Sequence, residues 1–234
     1  MSVALVTGAS RGLGRALTTA LAERRWSLVI DARDARALAA ASDALHAAGA
    51  PEVHAIAGDV ADPVHRARMV AAAAAAGGVD LLVNNASALG PSPMPRLSDY
   101  PVQELARVYA VNVLAPLALV QALLPQIATR GGRVVNVTSD AAVEPYAGWG
   151  GYGSSKAALD QLTAILAAET PRLRIYSFDP GDMRTQMHQD AYPGEDISDR
   201  PEPDAVVPAL LRLVEEDIPS GRFRATDLST AAVA

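Results

Sequence analysis

Short β-branched or aliphatic runs alternate with longer alanine- and leucine-rich segments along the whole chain. Strands are predicted near Val3–Val6, Leu28–Asp31, Val53–Ala57, Leu81–Asn84, Arg133–Val137, Arg174–Phe178 and Arg222–Ala225. Helices are predicted near Leu13–Arg25, Ala35–Ala48, Val64–Ala76, Val102–Ala128, Tyr152–Thr170 and Asp204–Glu216. Strands joined through helices pair in parallel by crossover. Strands apolar at nearly every position fit a sheet covered on both faces. The 234 residues carry no mid-chain linker or further repeat, so one α/β domain over 1–234 is expected.

Several function classes fall away on composition. The absence of cysteine excludes disulfides, thiolate metal ligands and thiol nucleophiles. The four histidines, His46, His54, His65 and His188, have no metal-ligand spacing, so no metal site is expected. A net charge of −6 spread along the chain argues against nucleic acid as a partner. The opening MSVALVTGAS lacks a basic n-region and runs straight into a glycine turn, as a first strand does and a signal peptide does not. The alanine-rich stretch Met69–Ala76 is far shorter than the roughly 18 apolar residues that span a bilayer. No membrane partner and a cytoplasmic location are the expectation.

Gly8, Ser10, Arg11, Gly12, Leu13 and Gly14 form a glycine-rich turn between the first strand and the first helix. Glycines there let the backbone approach a pyrophosphate, whose charge meets the amides of a helix N-terminus. The spacing is G-x-x-x-G-x-G, not the commoner G-x-G-x-x-G. The end of the second strand, Asp31-Ala32-Arg33, bears on which dinucleotide binds. If Asp31 points into the site it favours NAD; if Arg33 takes a 2′-phosphate it favours NADP. With Arg11 as a second guanidinium, NADP(H) is the preferred cofactor.

Tyr152 and Lys156, four residues apart, share one helix face. A phenol with a pKa of about 10 is a poor acid–base group until a nearby cation stabilises its phenolate. Such a tyrosine passes a proton to or from a substrate oxygen while hydride moves on carbon. Ser139 ends the apolar strand Val134–Val137 thirteen residues before Tyr152, where open α/β sheets place ligands.

These pieces, with GDV at 58–60, NNAS at 84–87, Asn112 and Pro180-Gly181, resemble the short-chain dehydrogenase/reductase family over essentially the whole length. The resemblance implies a single-domain, Rossmann-like doubly wound fold of about seven mostly parallel strands with helices on both faces. It implies an oxidoreductase that transfers hydride between NADP(H) and a carbonyl/alcohol substrate. It carries a catalytic tetrad onto Asn112, Ser139, Tyr152 and Lys156, the lysine also holding the nicotinamide ribose and the asparagine supporting a water chain that feeds it protons. Asp59, with Val60, corresponds to the acid beside the adenine, and Asn85 and Ala86 to positions by the adenosine ribose. Thr185, in the segment with Pro180, Gly181 and Met183, corresponds to a threonine at the carboxamide. The NAD-selecting acid of the family falls at Ala32 and the NADP-selecting arginine at Arg33, which makes Asp31 structural.

Two departures stand out. Ser87 replaces the usual glycine after Asn-Asn-Ala and brings a side chain to the cofactor–substrate loop. The chain after the last predicted strand is short where the family commonly builds a second subunit interface, so a homodimer is expected and a tetramer is in doubt. Gly90–Pro101, with four prolines, reads as a loop, and 182–204 as a substrate lid. Tyr146, Trp149, Met183, Met187, His188 and Tyr192 would give the pocket an apolar, partly aromatic lining. The rival readings are a non-catalytic NADP(H)-binding regulator of the same fold, and an epimerase or dehydratase with tightly held cofactor.

Overall fold

The structure, a computed structural model, describes residues 2–230. Its strands are β1 (Val3–Val6), β2 (Ser27–Ala32), β3 (Val53–Ala57), β4 (Leu81–Asn84), β5 (Arg133–Val137), β6 (Arg174–Asp179) and β7 (Gly221–Arg224). They form one sheet in the order β3-β2-β1-β4-β5-β6-β7, every neighbouring pair parallel. The order reverses at β1, which lies between β2 and β4. Open α/β sheets bind ligands in the crevice above such a switch point.

The pleat explains how both faces are filled. Alternate residues of a strand point to opposite sides, and Ala4, Val6, Leu28 and Ile30 pack into one core with Leu17 and Leu21 of α1 (Gly12–Glu23) and Leu38 of α2 (Ala35–Ala48). Val3, Leu5 and Val29 pack on the other side with Met69 of α3 (Pro63–Ala75). The predicted helix at 102–128 is one winding from Val102 to Arg130, but it holds α4 (Val102–Tyr109), a wider π turn at Ala110–Leu114, and α5 (Ala115–Arg130). Pro116 has no N–H to offer the Asn112 carbonyl one turn earlier, which favours loosened winding at Asn112. This helix is long and apolar enough to cross a membrane by length and composition, a feature the Met69–Ala76 test does not touch. Its residues Leu119, Leu123 and Ile127 are fully buried against the sheet.

α6 (Gly150–Glu169) follows β5, and α8 (Val207–Glu215) follows β6. α8 begins three residues later than expected, because Pro203 opens a separate 3₁₀ turn at Pro203–Ala205. Two short helices are absent from the sequence reading: α7 (Gln186–Ala191), inside the expected lid, and α9 (Ala225–Thr230). α7 is started by Thr185, whose Oγ1 accepts from the His188 N–H at 3.2 Å. Such a cap is a recognisable signal, but six mixed-polarity residues carry no readable period.

Candidate active site

The glycine turn is held from three sides. Gly8 N donates to Asp31 Oδ1 at 2.7 Å, and Asp31 Oδ2 lies 3.0 Å from His65 Nε2. Asn85 Nδ2 donates to the Thr7 and Gly8 carbonyls at 2.8 and 3.1 Å. Thr7 Oγ1 accepts from the Asn85 and Ala86 N–H groups, each at 2.9 Å. A Cβ on Gly14 would stand 2.4 Å from the Gly8 carbonyl oxygen, so only glycine lets α1 approach its own turn this closely. Asp31 is 2% exposed and turned into the protein, so the acid of this strand end does not face the cleft with its charge free. Burial pushes its carboxyl above the usual range, opposed by its bonds to Gly8 and His65.

Above the turn opens a cleft of about 1450 Å³, large enough for a dinucleotide with a substrate beside it. α1 starts at Gly12 and, among the described residues, no side chain caps it, so its first amides face the cleft. Arg11 and Arg33 are exposed on the cleft wall and make no side-chain ion pair or hydrogen bond among the described residues. Arg15, missed in the sequence reading, lies on the same wall. Asp59 and Val60 line this end, with Asp59 Oδ1 accepting from Ala61 N at 2.8 Å. Ala86, Pro180, Gly181, Met183 and Thr185 line the continuation toward Tyr152.

At the far end, α6 brings Tyr152 and Lys156 under the C-terminal end of β5. A Cβ on Gly153 would lie 2.6 Å from the Ala141 carbonyl oxygen, so glycine lets α6 press against the turn that follows Ser139. Lys156, 2% exposed, donates from Nζ to the Val137 carbonyl at 2.8 Å and stands 5.5 Å from the centre of the Tyr152 ring. Ser139 Oγ donates to Asp140 Oδ1 at 3.0 Å and accepts from Ala141 N at 3.2 Å.

The electrostatics correct the sequence expectation of a lowered tyrosine pKa. Burial pushes the Tyr152 phenol well above the ordinary range, while hydrogen bonding with Ser87 and then Ser139 opposes the rise. Lys156 is pulled down to about 8, again by burial, with Asp160 opposing. Two groups sharing one dry site each resist becoming charged. The phenol is therefore held in its protonated, proton-donating form.

Asn112 is fully buried and its amide is spent on protein groups. Oδ1 accepts from Ala88 N at 2.7 Å and Ser87 Oγ at 3.1 Å, and Nδ2 donates to Ala88 O and Ser155 Oγ, each at 2.9 Å. The side chain thus ties the loop after β4 to α6. Arg222 is a further residue the sequence did not single out. It donates to Asp160 Oδ2 at 3.0 Å, Asp179 Oδ2 at 3.1 Å and the Ser139 carbonyl at 2.9 Å, pinning β7 beneath the site.

The pocket beside Tyr152 is walled by aromatic rings. Trp149 packs edge-on to Tyr152 at 5.8 Å between centroids and against Tyr192 at 5.9 Å, while His188 lies 4.9 Å from Tyr192. Leu89, Met94 and Met187 join this cluster, and Tyr146 packs on Trp149 at 6.3 Å.

The short chain dehydrogenase family model matches residues 2–196. The chain is 34% identical to the L-xylo-3-hexulose reductase of Hypocrea jecorina, over 92% of this chain and 77% of that protein. A short-chain dehydrogenase of Pseudomonas syringae superposes with a TM-score of 0.89 at 32% identity, covering 96% of this chain and 94% of the other. One of Escherichia coli CFT073, solved with NADPH, superposes with a TM-score of 0.88 at 27% identity, covering 96% of each chain. With its all-parallel sheet and the cleft above the β1 switch point, this chain is a member of the short-chain dehydrogenase/reductase family, an NAD(P)-dependent oxidoreductase.

Proposed function

We propose that the protein is an NADP(H)-dependent carbonyl reductase in which Tyr152 delivers the proton. The observation that carries this reading is the phenol itself, buried, held protonated and ringed by Ser87, Ser139 and Lys156 at the end of the cleft. The dinucleotide supplies the hydride. Arg11 and Arg33, without charge partners among the described residues, fit a 2′-phosphate, which a guanidinium binds bidentately. The open start of α1 fits the pyrophosphate. Asp59 and Val60 would flank the adenine, Asn85 and Ala86 the adenosine ribose, and Met183 and Thr185 the nicotinamide end.

Ser139 orients the substrate oxygen beside the Tyr152 hydroxyl. Lys156, protonated below about pH 8, holds the nicotinamide ribose and steadies the phenolate left after proton transfer. Asn112 acts by fixing the loop after β4 against α6. The Trp149–Tyr192–Met187 wall favours a substrate whose carbonyl is attached to an apolar, ring-bearing body. The segment 182–204, which carries Met187 and Tyr192 of this wall, serves as the lid. In support, Asp190 accepts from Ser92 Oγ at 2.6 Å through its carbonyl, joining the lid to the 90–101 loop.

A homodimer through the long helix and α6 accounts for the exposed Val102, Leu114 and Ile165, and sedimentation velocity would read a species of twice the chain mass. The activity test is NADPH consumption against a panel of aldehydes, ketones and quinones, with NADH and Tyr152→Phe alongside. Turnover with NADPH that disappears in Tyr152→Phe is expected. Turnover retained in that variant would remove Tyr152 from the mechanism.

A further inference from the structure

The parallel pairing of β5 with β6 ends at Val137 and Phe178, with one further bond from Thr138 N to the Phe178 carbonyl at 2.8 Å. Ser139 and the Pro180–Gly181 turn lie past that last rung, and both line the cleft. Arg222 of β7 takes over where the ladder stops. Its Nη2 donates to the Ser139 carbonyl at 2.9 Å and to Asp179 Oδ2 at 3.1 Å, while its Nε donates to Asp160 Oδ2 at 3.0 Å. Asp179 is buried, and its other oxygen accepts the Gly181 N–H at 3.0 Å. Asp160 stands one helical turn beyond Lys156 on the same face of α6. A guanidinium is planar and holds its donors in a fixed fork, so it sets the directions of all three acceptors at once. Arg222 does not line the cleft, so it acts on the site through these partners.

We propose that Arg222 is a positioning residue for hydride transfer, setting the separation between Ser139 and the Pro180–Gly181 turn. One nitrogen carries the bonds toward both segments, so a shift of either breaks a bond to a charged donor. The ion pair with Asp160 anchors the same guanidinium to the helix that carries Tyr152 and Lys156. Three walls of the site are thereby referred to one rigid group beneath it. A misplacement of reacting groups by about 1 Å costs on the order of a hundredfold in rate, and the fork guards against that loss. This rests on Ser139 orienting the substrate oxygen and on the residues after Gly181 flanking the nicotinamide end.

Arg222→Lys keeps a cation between the two carboxylates but replaces the fork with a point charge, so neither acid is left unpaired. The probe is the aromatic ketone or aldehyde that wild type reduces fastest in the panel above, with NADPH and with NADPH deuterated at the transferred hydrogen. In Arg222→Lys kcat should fall about 10–100-fold. The loss should carry a primary isotope effect, while KM for the probe and NADPH affinity by fluorescence titration stay near wild type. In the cofactor-free protein, amide exchange should quicken at Ala142 and Gly181, whose N–H groups bond the Ser139 carbonyl and Asp179. About tenfold is expected, the worth of one charge-assisted bond. Asp179→Asn leaves one neutral carbonyl oxygen for two donors, Gly181 and Arg222, and should show the same split; it carries the test if Arg222→Lys does not fold. An unchanged kcat, a loss without an isotope effect, a loss matched by NADPH affinity, or unaltered amide exchange would each overturn the proposal. Failure of the wider reading shows separately, as a wild type that reduces no member of the panel or turnover surviving in Tyr152→Phe, and would take this proposal with it.

Discussion

The Asp31 carboxylate holds the glycine turn from below, its Oδ1 accepting the Gly8 N–H at 2.7 Å. An acid one residue from the strand end is thus a strut for the phosphate-facing loop. Asp31→Ala should cost about 1–3 kcal/mol by leaving the Gly8 N–H and the His65 ring without their acceptor. Asp31→Asn keeps an acceptor for Gly8 and should cost less. Because the native carboxyl carries a raised pKa, the folded protein holds that proton to higher pH than the unfolded chain. Stability from this group therefore falls as pH rises from the ordinary 3.8 toward the raised value, a decline that Asp31→Asn should remove from urea denaturation curves.

Gly14→Ala places a methyl 2.4 Å from the Gly8 carbonyl oxygen and 2.5 Å from Asn85 Nδ2. The first is backbone and cannot swing aside, so the turn and α1 must move apart. A loss of roughly 1–3 kcal/mol in stability is expected, as for other overpacked sites. Fluorescence titration should show NADPH affinity falling with it. Unchanged stability and affinity would mean that the turn accommodates the methyl freely.

Lys156 carries a native pKa of about 8 against an ordinary 10.5, so the unfolded chain binds more protons between those values. Stability from this group accordingly rises across that window, and the penalty for burying the ammonium is fully present below about pH 8. Lys156→Met should make the cofactor-free protein more stable at pH 7, by about 2 kcal/mol after loss of the Val137 hydrogen bond. The gain should shrink as the pH is raised toward 10.5, while NADPH affinity and turnover fall at every pH. A stability difference independent of pH would show that the ammonium is not the penalised species.

Arg33→Ala removes one of the guanidiniums on the adenosine side of the cleft. NADPH should bind roughly 10–100-fold more weakly, the worth of one charge-assisted contact, while NADH affinity changes little. Isothermal titration with both dinucleotides separates the cases. Equal losses for the two would assign Arg33 a structural role instead.

Much of this protein is legible in its order of residues. The strand–helix alternation specifies a parallel sheet, since crossovers through helices leave few other pairings, and β1, β3, β4 and β5 match their predicted bounds residue for residue. The glycine turn, Tyr152 and Lys156 are local patterns whose geometry follows from one turn or one helix face. What depends on distant packing could not be read. Asp31 and Arg33 are two residues apart in sequence, and only the packing of the turn after β1 and of α3 buries one against Gly8 and His65 and leaves the other exposed on the cleft wall. The π turn at Asn112, the cap that starts α7 and the bracing of Ser139 by Arg222 each join segments far apart or too short to carry a period. The charge state of the site is likewise a tertiary property: sequence proximity argues that Lys156 lowers the Tyr152 pKa. Desolvation instead depends on everything stacked above both groups, and in the folded protein it is the largest influence on each.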